Sequence, residues 1–222
     1  IPPATAEPIV ASPVPIPIGS MSRDRSAVVG ADGHLFILEG TNSLFTQYAE
    51  PESEDERRTL GLQVAGWQSL LERRAARSAA LGAHFIQIFV PDKSSSLDSG
   101  IPALGPVTPL LDRLEKSCKG DAPYVSGHAE LARAEESSAA LSDQWLRLDS
   151  HTSARGSMAL SRALVNRVGD ASFMNDVSFI PSGTFIGDLG ARFFGNLVPE
   201  PDVQPRSAWL DAVATERDLV AR

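Results

Sequence analysis

Residues 84–91, HFIQIFVP, restrict the fold more than any other stretch. Phe85, Ile86, Ile88, Phe89 and Val90 are apolar and only Gln87 interrupts them. A run of strand length without polar alternation predicts a strand covered on both faces, as in a parallel sheet. The segment before it, Ser53 to Leu81, predicts a long helix. Ser53 is a capping residue, and Glu54, Asp55 and Glu56 meet the positive end of the helix dipole. Leu60, Val64, Trp67 and Leu71 recur at helical spacing and make one apolar face. Gly82 suits the position just past the helix end. Helix, glycine and buried strand in that order are the grammar of an α/β domain. The loop PDKSSSLDSGIPALGP then leaves the C-terminal end of the strand, the edge at which ligands gather in open α/β sheets.

The flanking segments fit one domain. Residues 1–20 hold six of the 16 prolines and no helical period, so residues 1–25 read as a Pro-rich linker or a tag-derived tether, with Gly19-Ser20-Met21 as the junction in the second case. The domain is expected over 26–222. Asp32-Gly33 between AVVG and HLFILEG predicts a hairpin. Thr108–Cys118 reads as a helix, APYVS as a strand and HAELARAEESSAAL as a helix. QWLRLDS reads as a strand arriving at Asp149, and Ser153–Val168 as a helix with Met158, Leu160, Ala163, Leu164 and Val168 inward. The segment 171–195 mixes strand-like pieces and turns, and SAWLDAVATERDLVAR is helical.

Composition removes several classes of function. With 222 residues and 42% hydrophobic content the chain can bury one sizeable core. Twenty Lys and Arg against 28 Asp and Glu give a net charge of −8 with no basic stripe, which argues against nucleic acid and anionic lipid as partners. Cys118 is the single cysteine, so an internal disulfide is impossible and a structural role is expected. Four scattered histidines lack metal-ligand spacing, and neither a Walker loop nor GxGxxG occurs, so neither metal nor cofactor is expected.

The chemistry centres on Asp149-Ser150-His151. A carboxylate two residues before a histidine is able to fix the ring tautomer and make the second nitrogen a general base. The same triplet also arises as a helix-capping Asp beside an exposed His, and residue types alone leave both readings open. Lys93 either holds an anionic group at the strand edge or is a solvated loop lysine, and Asp92 is similar. Asn42 either lines the cleft or makes an Asx turn. Trp145 is either core or an aromatic face for carbohydrate.

Order and spacing add a family. GADGHLFILEGTNS (30–43) resembles the "dGwlFl…N" opening of the SGNH-hydrolase-like domains in alginate O-acetyltransferases of the AlgJ and AlgX type. The helix with Trp67 and Leu71, followed by LGAHFIQIFVPDKSS, resembles their "W…L…R…L…G…vvvPdK" block, with Pro91, Asp92 and Lys93 at PDK. Ile101-Pro102 resembles the next "lP", LRLDSHTSARGSMAL the "tDtHW…Ga" block, and IGDLGARFF a later "gDL" segment. The resemblance implies a three-layer α/β fold with a mainly parallel central sheet. It implies Asp149 as orienter and His151 as base of a Ser-His-Asp site; Asn42, Asp92 and Lys93 are the candidates for substrate contact. It further implies acetyl transfer to hydroxyls of a bacterial surface polysaccharide in the periplasm or cell envelope, from a membrane-bound acetyl-donor partner.

Two departures stand out. Thr152 replaces the family's Trp, and the nucleophile block expected downstream is missing. Gly187-Asp188 has Leu189 where a serine belongs, and Ser207 sits at a helix start. The expectations are a chain truncated before its nucleophile, a non-catalytic polysaccharide-binding or scaffold domain, or a hydroxyl from Ser94, Ser95 or Ser96. An acetyl esterase would use the same residues.

Overall fold

The computed structural model describes residues 16–38, 43–102, 104, 107–118, 123–137, 141–195 and 198–211. Most of the expected tether, Asn42 and the end of the C-terminal helix lie outside the described residues. In chain order the strands are β1 (Ala27–Val29), β2 (Leu35–Ile37), β3 (Gln87–Phe89), β4 (Tyr124–Ser126), β5 (Ser178–Phe185) and β6 (Glu200–Arg206). The α-helices are α1 (Leu44–Tyr48), α2 (Glu54–Ala80), α3 (Lys93–Ser96), α4 (Pro109–Ser117), α5 (Gly127–Ser137), α6 (Ala154–Val168) and α7 (Asp188–Phe194).

The long helix forms as the sequence predicts. Ser53 Oγ accepts from the Glu56 N–H at 3.2 Å while Glu56 Oε2 accepts from the Ser53 N–H at 2.9 Å, a complete capping box. Gly82 follows the helix with φ +69°, a conformation open to glycine at little cost. Leu71 of α2 packs with Leu114, Cys118 and Tyr124, and Trp67, Phe85 and Phe89 close over them. Cys118 is therefore a core residue, as expected.

β3 pairs in parallel with β4, Gln87 opposite Tyr124 and Phe89 opposite Ser126. Phe89 faces the cluster under α2 and α4, and Ile88 faces Leu131, Trp145 and Leu160 under α5 and α6. Helices thus cover both faces of this pair, but β3 is only half-buried and Val90 is 54% exposed. Trp145, 4% exposed, belongs to this core, the first of its two expected readings. α6 buries Leu160 and Ala163 as expected, whereas Val168 at its last position is 65% exposed.

The expected mainly parallel central sheet is not what the described residues form. They make three two-stranded sheets, and only β3–β4 is parallel. β1 and β2 form the Asp32-Gly33 hairpin, with Asp32 and Gly33 both at positive φ. Residues of the expected tether run beside β1, where Gly19 N–H donates to Val29 O at 2.8 Å and Ser22 N–H to Ala27 O at 2.9 Å. β5 and β6 make an antiparallel ribbon with an irregularity between Pro181 and Gly183. β6 escapes sequence reading because Pro201 and Pro205 argue against a strand. The predicted strand over QWLRLDS is instead a 3-10 turn (Leu141–Gln144) and an extended loop with one bridge, Trp145 to Thr152. Its main chain is satisfied largely by side chains and by scattered main-chain bonds, not by a ladder.

Two glycines of different surroundings test this packing. A Cβ on Gly156 would press into the main-chain carbonyl of Gln144, whereas one on Gly66 of α2 meets open space. Gly156→Ala is expected to lower unfolding free energy by about 2 kcal/mol. Gly66→Ala is expected to raise it by about 1 kcal/mol. Urea unfolding of the two variants beside the wild type measures both.

Candidate active site

The loop 146–151 carries the acid and the histidine, and three charged side chains from three elements hold it. Lys93, the first residue of α3, is 4% exposed. Its Nζ donates to the carbonyls of Leu35 (2.9 Å), Leu146 (2.6 Å), Arg147 (3.0 Å) and Asp149 (3.0 Å). Glu200, the first residue of β6, accepts from the N–H groups of Arg147 (2.7 Å) and Leu148 (3.0 Å). Asp188, the first residue of α7, accepts from the N–H of Ser150 at 2.8 Å. Gly190 N–H donates to Leu148 O at 2.7 Å, and Leu146 N–H to His151 O at 3.2 Å. Buried main-chain groups need partners, and here side chains supply most of them.

Within this frame Asp149 and His151 form a bonded pair. His151 Nδ1 and Asp149 Oδ1 are 2.6 Å apart, and the His151 N–H donates to the same oxygen at 2.9 Å. Asp149 Oδ2 accepts from the Asp188 N–H at 2.8 Å. Burial pushes the Asp149 carboxyl up, but the donors from Asp188 and His151 outweigh it and hold its pKa below the ordinary value. The hydrogen bond with Asp149 raises the His151 pKa against partial burial, and the charges of Asp149 and Asp188 add to the rise. An ionised Asp149 makes Nδ1 the donor. Nε2 is then the basic nitrogen of the neutral ring, on a side chain that is 78% exposed.

The other residues singled out in the sequence fall elsewhere. Lys93 lies inside the protein with its donors spent on carbonyls, so it is neither a solvated lysine nor a substrate ligand. Burial pulls its pKa down to about 7 against the charges of Glu200, Asp149 and Asp188. The carbonyls accept only, and so favour the ammonium form. Asp92 caps α3: its carboxylate accepts from Ser95 N–H at 3.1 Å, Ser94 Oγ at 2.6 Å and Tyr48 OH at 2.8 Å. That leaves it a structural role in place of the expected substrate contact. Ser94, Ser95 and Ser96 are all buried, and Ser95 Oγ bonds Tyr48 at 2.6 Å, so none of them is presented to the histidine. Ser207 is buried and caps the turn at 208–211 through Leu210 N–H. Asn42 lies outside the described residues. His34 is buried, and burial with the charges of Lys93 and Arg147 pulls its pKa down to about 4, which keeps it neutral.

Among the described residues the hydroxyl bonded to the His151 ring is that of Ser150, at 3.4 Å from Nδ1, the nitrogen that Asp149 holds. No hydroxyl bonds Nε2 there. Asp149, His151 and Asp188 also bring metal-ligating atoms within 4.8 Å of one another. The two carboxylates accept from N–H and O–H donors, so on the acid side the cluster is a hydrogen-bond network. A cavity of about 940 Å³ borders the loop, lined by His34, Trp145, Arg147, Leu148, Arg155 and Glu200. Sequence reasoning missed Glu200, which follows Pro199 in a stretch without strand signal, and it read Gly187-Asp188 only as a turn that lacks a serine.

No protein-family model matches the chain, and none of the curated proteins matches it. Among solved structures it is similar to the O-acetyltransferase domain of Pseudomonas putida AlgJ, with 18% sequence identity and a TM-score of 0.47. The match covers 81% of this chain and 63% of that chain. No helix among the described residues is long and apolar enough to cross a membrane.

Two measurements probe the loop. Lys93→Met strands buried carbonyls and is expected to cost roughly 3 kcal/mol in urea unfolding. The His151 ring, followed by NMR, is expected to titrate above 6.5, and Asp149→Asn to bring it back toward that value. Because its folded pKa is raised, the stabilisation from this pair is present below pH 6.5 and fades as pH rises through the folded pKa.

Proposed function

We propose that this chain transfers acetyl groups to hydroxyls of a polysaccharide, with His151 as general base and Asp149 as its orienter. The observation that carries the reading is the 2.6 Å Asp149–His151 bond, which leaves Nε2 on an exposed ring. The acetyl group and the sugar acceptor come from the ordered sequence blocks around this pair. We read the parallel β3–β4 pair between α2/α4 and α5/α6 as the middle of an SGNH-like three-layer arrangement.

The chemistry follows from the pair. Nε2 takes the proton from a hydroxyl as its oxygen attacks the acetyl carbonyl carbon, and the imidazolium that forms is stabilised by ionised Asp149. The proton then goes to the departing group. In the acyl-enzyme route a serine carries the acetyl group first and the sugar hydroxyl repeats the step. That serine is not among the described residues bonded to His151. A membrane-bound acetyl-donor partner and a periplasmic or envelope location belong to the same proposal.

A second reading is a glycan-binding domain without chemistry, favoured by the lack of a hydroxyl at Nε2 among the described residues. Acetyl release from an aryl acetate, with and without an acidic oligosaccharide acceptor, separates the two. Under the catalytic reading His151→Ala lowers release about 10²- to 10⁴-fold. Activity also falls on the acid side with a midpoint above pH 6.5, since the raised pKa keeps the base protonated there. Release that is equal in wild type and variant defeats this reading, and glycan binding that survives His151→Ala then supports the second.

A further inference from the structure

Gly187-Asp188 takes no part in the chemistry above, yet the turn it opens meets the reactive loop at the three residues before His151. The Asp188 N–H donates to Asp149 Oδ2 at 2.8 Å, while its carboxylate accepts from Ser150 N–H at 2.8 Å and from Ser150 Oγ at 2.7 Å. Gly190 N–H takes the carbonyl of Leu148 at 2.7 Å. The first turn of α7 therefore grips residues 148, 149 and 150 in succession.

The grip has a rigid base and a reason for its glycine. Leu189, fully buried, packs with Ala27, Val29 and Leu35 and anchors the helix in the core beside the first hairpin. A Cβ on Gly187 would fall on the carbonyl of Leu148, so only glycine lets the helix come this close.

Two consequences bear on the imidazole. With Oδ2 held by Asp188, the Asp149 carboxylate is fixed in rotation and turns Oδ1 to the ring. Ser150 Oγ sits 3.4 Å from Nδ1 but donates to Asp188 at 2.7 Å, and so is kept from displacing Asp149 as the ring's partner. The charged groups at this loop are Asp149 and Arg147 within it, Asp188 from α7, Lys93 from α3 and Glu200 from β6.

We propose that Asp188 is a positioning residue for His151, holding the Asp149 carboxylate through its N–H and Ser150 through its carboxylate so that one ring tautomer faces outward. The proposal deepens the general-base reading and rests on it. Asp188 touches no reacting atom and acts through its neighbours.

The test is NMR of the His151 ring in the whole chain, which reports on the pair whether or not the protein turns over an acetyl ester. Asp188→Ala removes the carboxylate. Asp188→Pro also removes the N–H, at a first helical position where proline is tolerated. Asp188→Asn keeps an acceptor for Ser150. In the Ala variant the His151 pKa falls, because a neighbouring negative charge is lost. In the Pro variant the Nδ1–H resonance of the Asp149 bond broadens or disappears, while the Asn variant retains it. Wild-type titration in the Ala variant together with a wild-type resonance in the Pro variant overturns the proposal. If a thermal melt shows that the Pro variant does not fold, the Ala variant combined with Ser150→Ala decides, and wild-type titration there overturns it equally. If the wild type releases acetyl groups, Asp188→Ala lowers kcat about 10- to 100-fold with KM unchanged, and Asp188→Asn recovers part of it. A wild type that releases none, with the NMR effects present, fails the catalytic reading and leaves the positioning role standing.

Discussion

A single buried ammonium ties the loop 146–151 to the rest of the molecule. Lys93 Nζ gathers four carbonyls, one from β2 and three from the loop 146–151. Taking a charge out of water costs several kcal/mol unless it is met by acceptors and opposite charge. Both are present: the carbonyls bond it, and Glu200, Asp149 and Asp188 lie near enough to favour its charged form. Glu200 makes the complementary arrangement on the N–H groups of Arg147 and Leu148. Burial raises the Glu200 pKa, while those two N–H donors and the Lys93 charge act against the rise. A cation on carbonyls and an anion on amides thus replace the ladder that a strand at this place would have had.

The replacement matters for chemistry. Ladder pairing turns successive residues to opposite faces, so a strand would separate residue 149 from 150 and pair 149 with 151 on one side. The ligated loop lets the carboxylate of Asp149 fold back to the N–H and ring of His151. The acid is buried and the ring is 78% exposed. Under the proposed function, that gradient puts the base at the surface while its orienter stays out of water.

Other parts of the fold serve this placement. α2 and α4 on one side and α5 and α6 on the other hold the parallel β3–β4 pair, and β3 leads within four residues to Lys93. The first hairpin supplies Leu35, whose carbonyl takes Lys93 and whose N–H takes the Arg147 carbonyl at 2.8 Å. The ribbon of β5 and β6 delivers Glu200, and the helix between them delivers Asp188. Residues far apart in the chain converge on six loop residues.

Features set by local chemistry were legible in the chain. Ser53 with Glu56, and Gly82, mark the ends of α2; Asp32-Gly33 marks the first turn; Asp149 and His151 stand two apart and bond in the structure. Each depends on neighbours within a few residues. Tertiary structure alone decided the rest. Lys93 stands in a loop after a strand, yet it is a buried clamp, because its carbonyl partners lie 53 to 58 positions away. Glu200 and Asp188 acquire their roles across about 40 to 50 residues. Val90 and Val168 read as core and are exposed, since an apolar residue is buried only where another element arrives to cover it. Long-range partners for charges and carbonyls leave no periodic trace in a chain, and only folding brings them together.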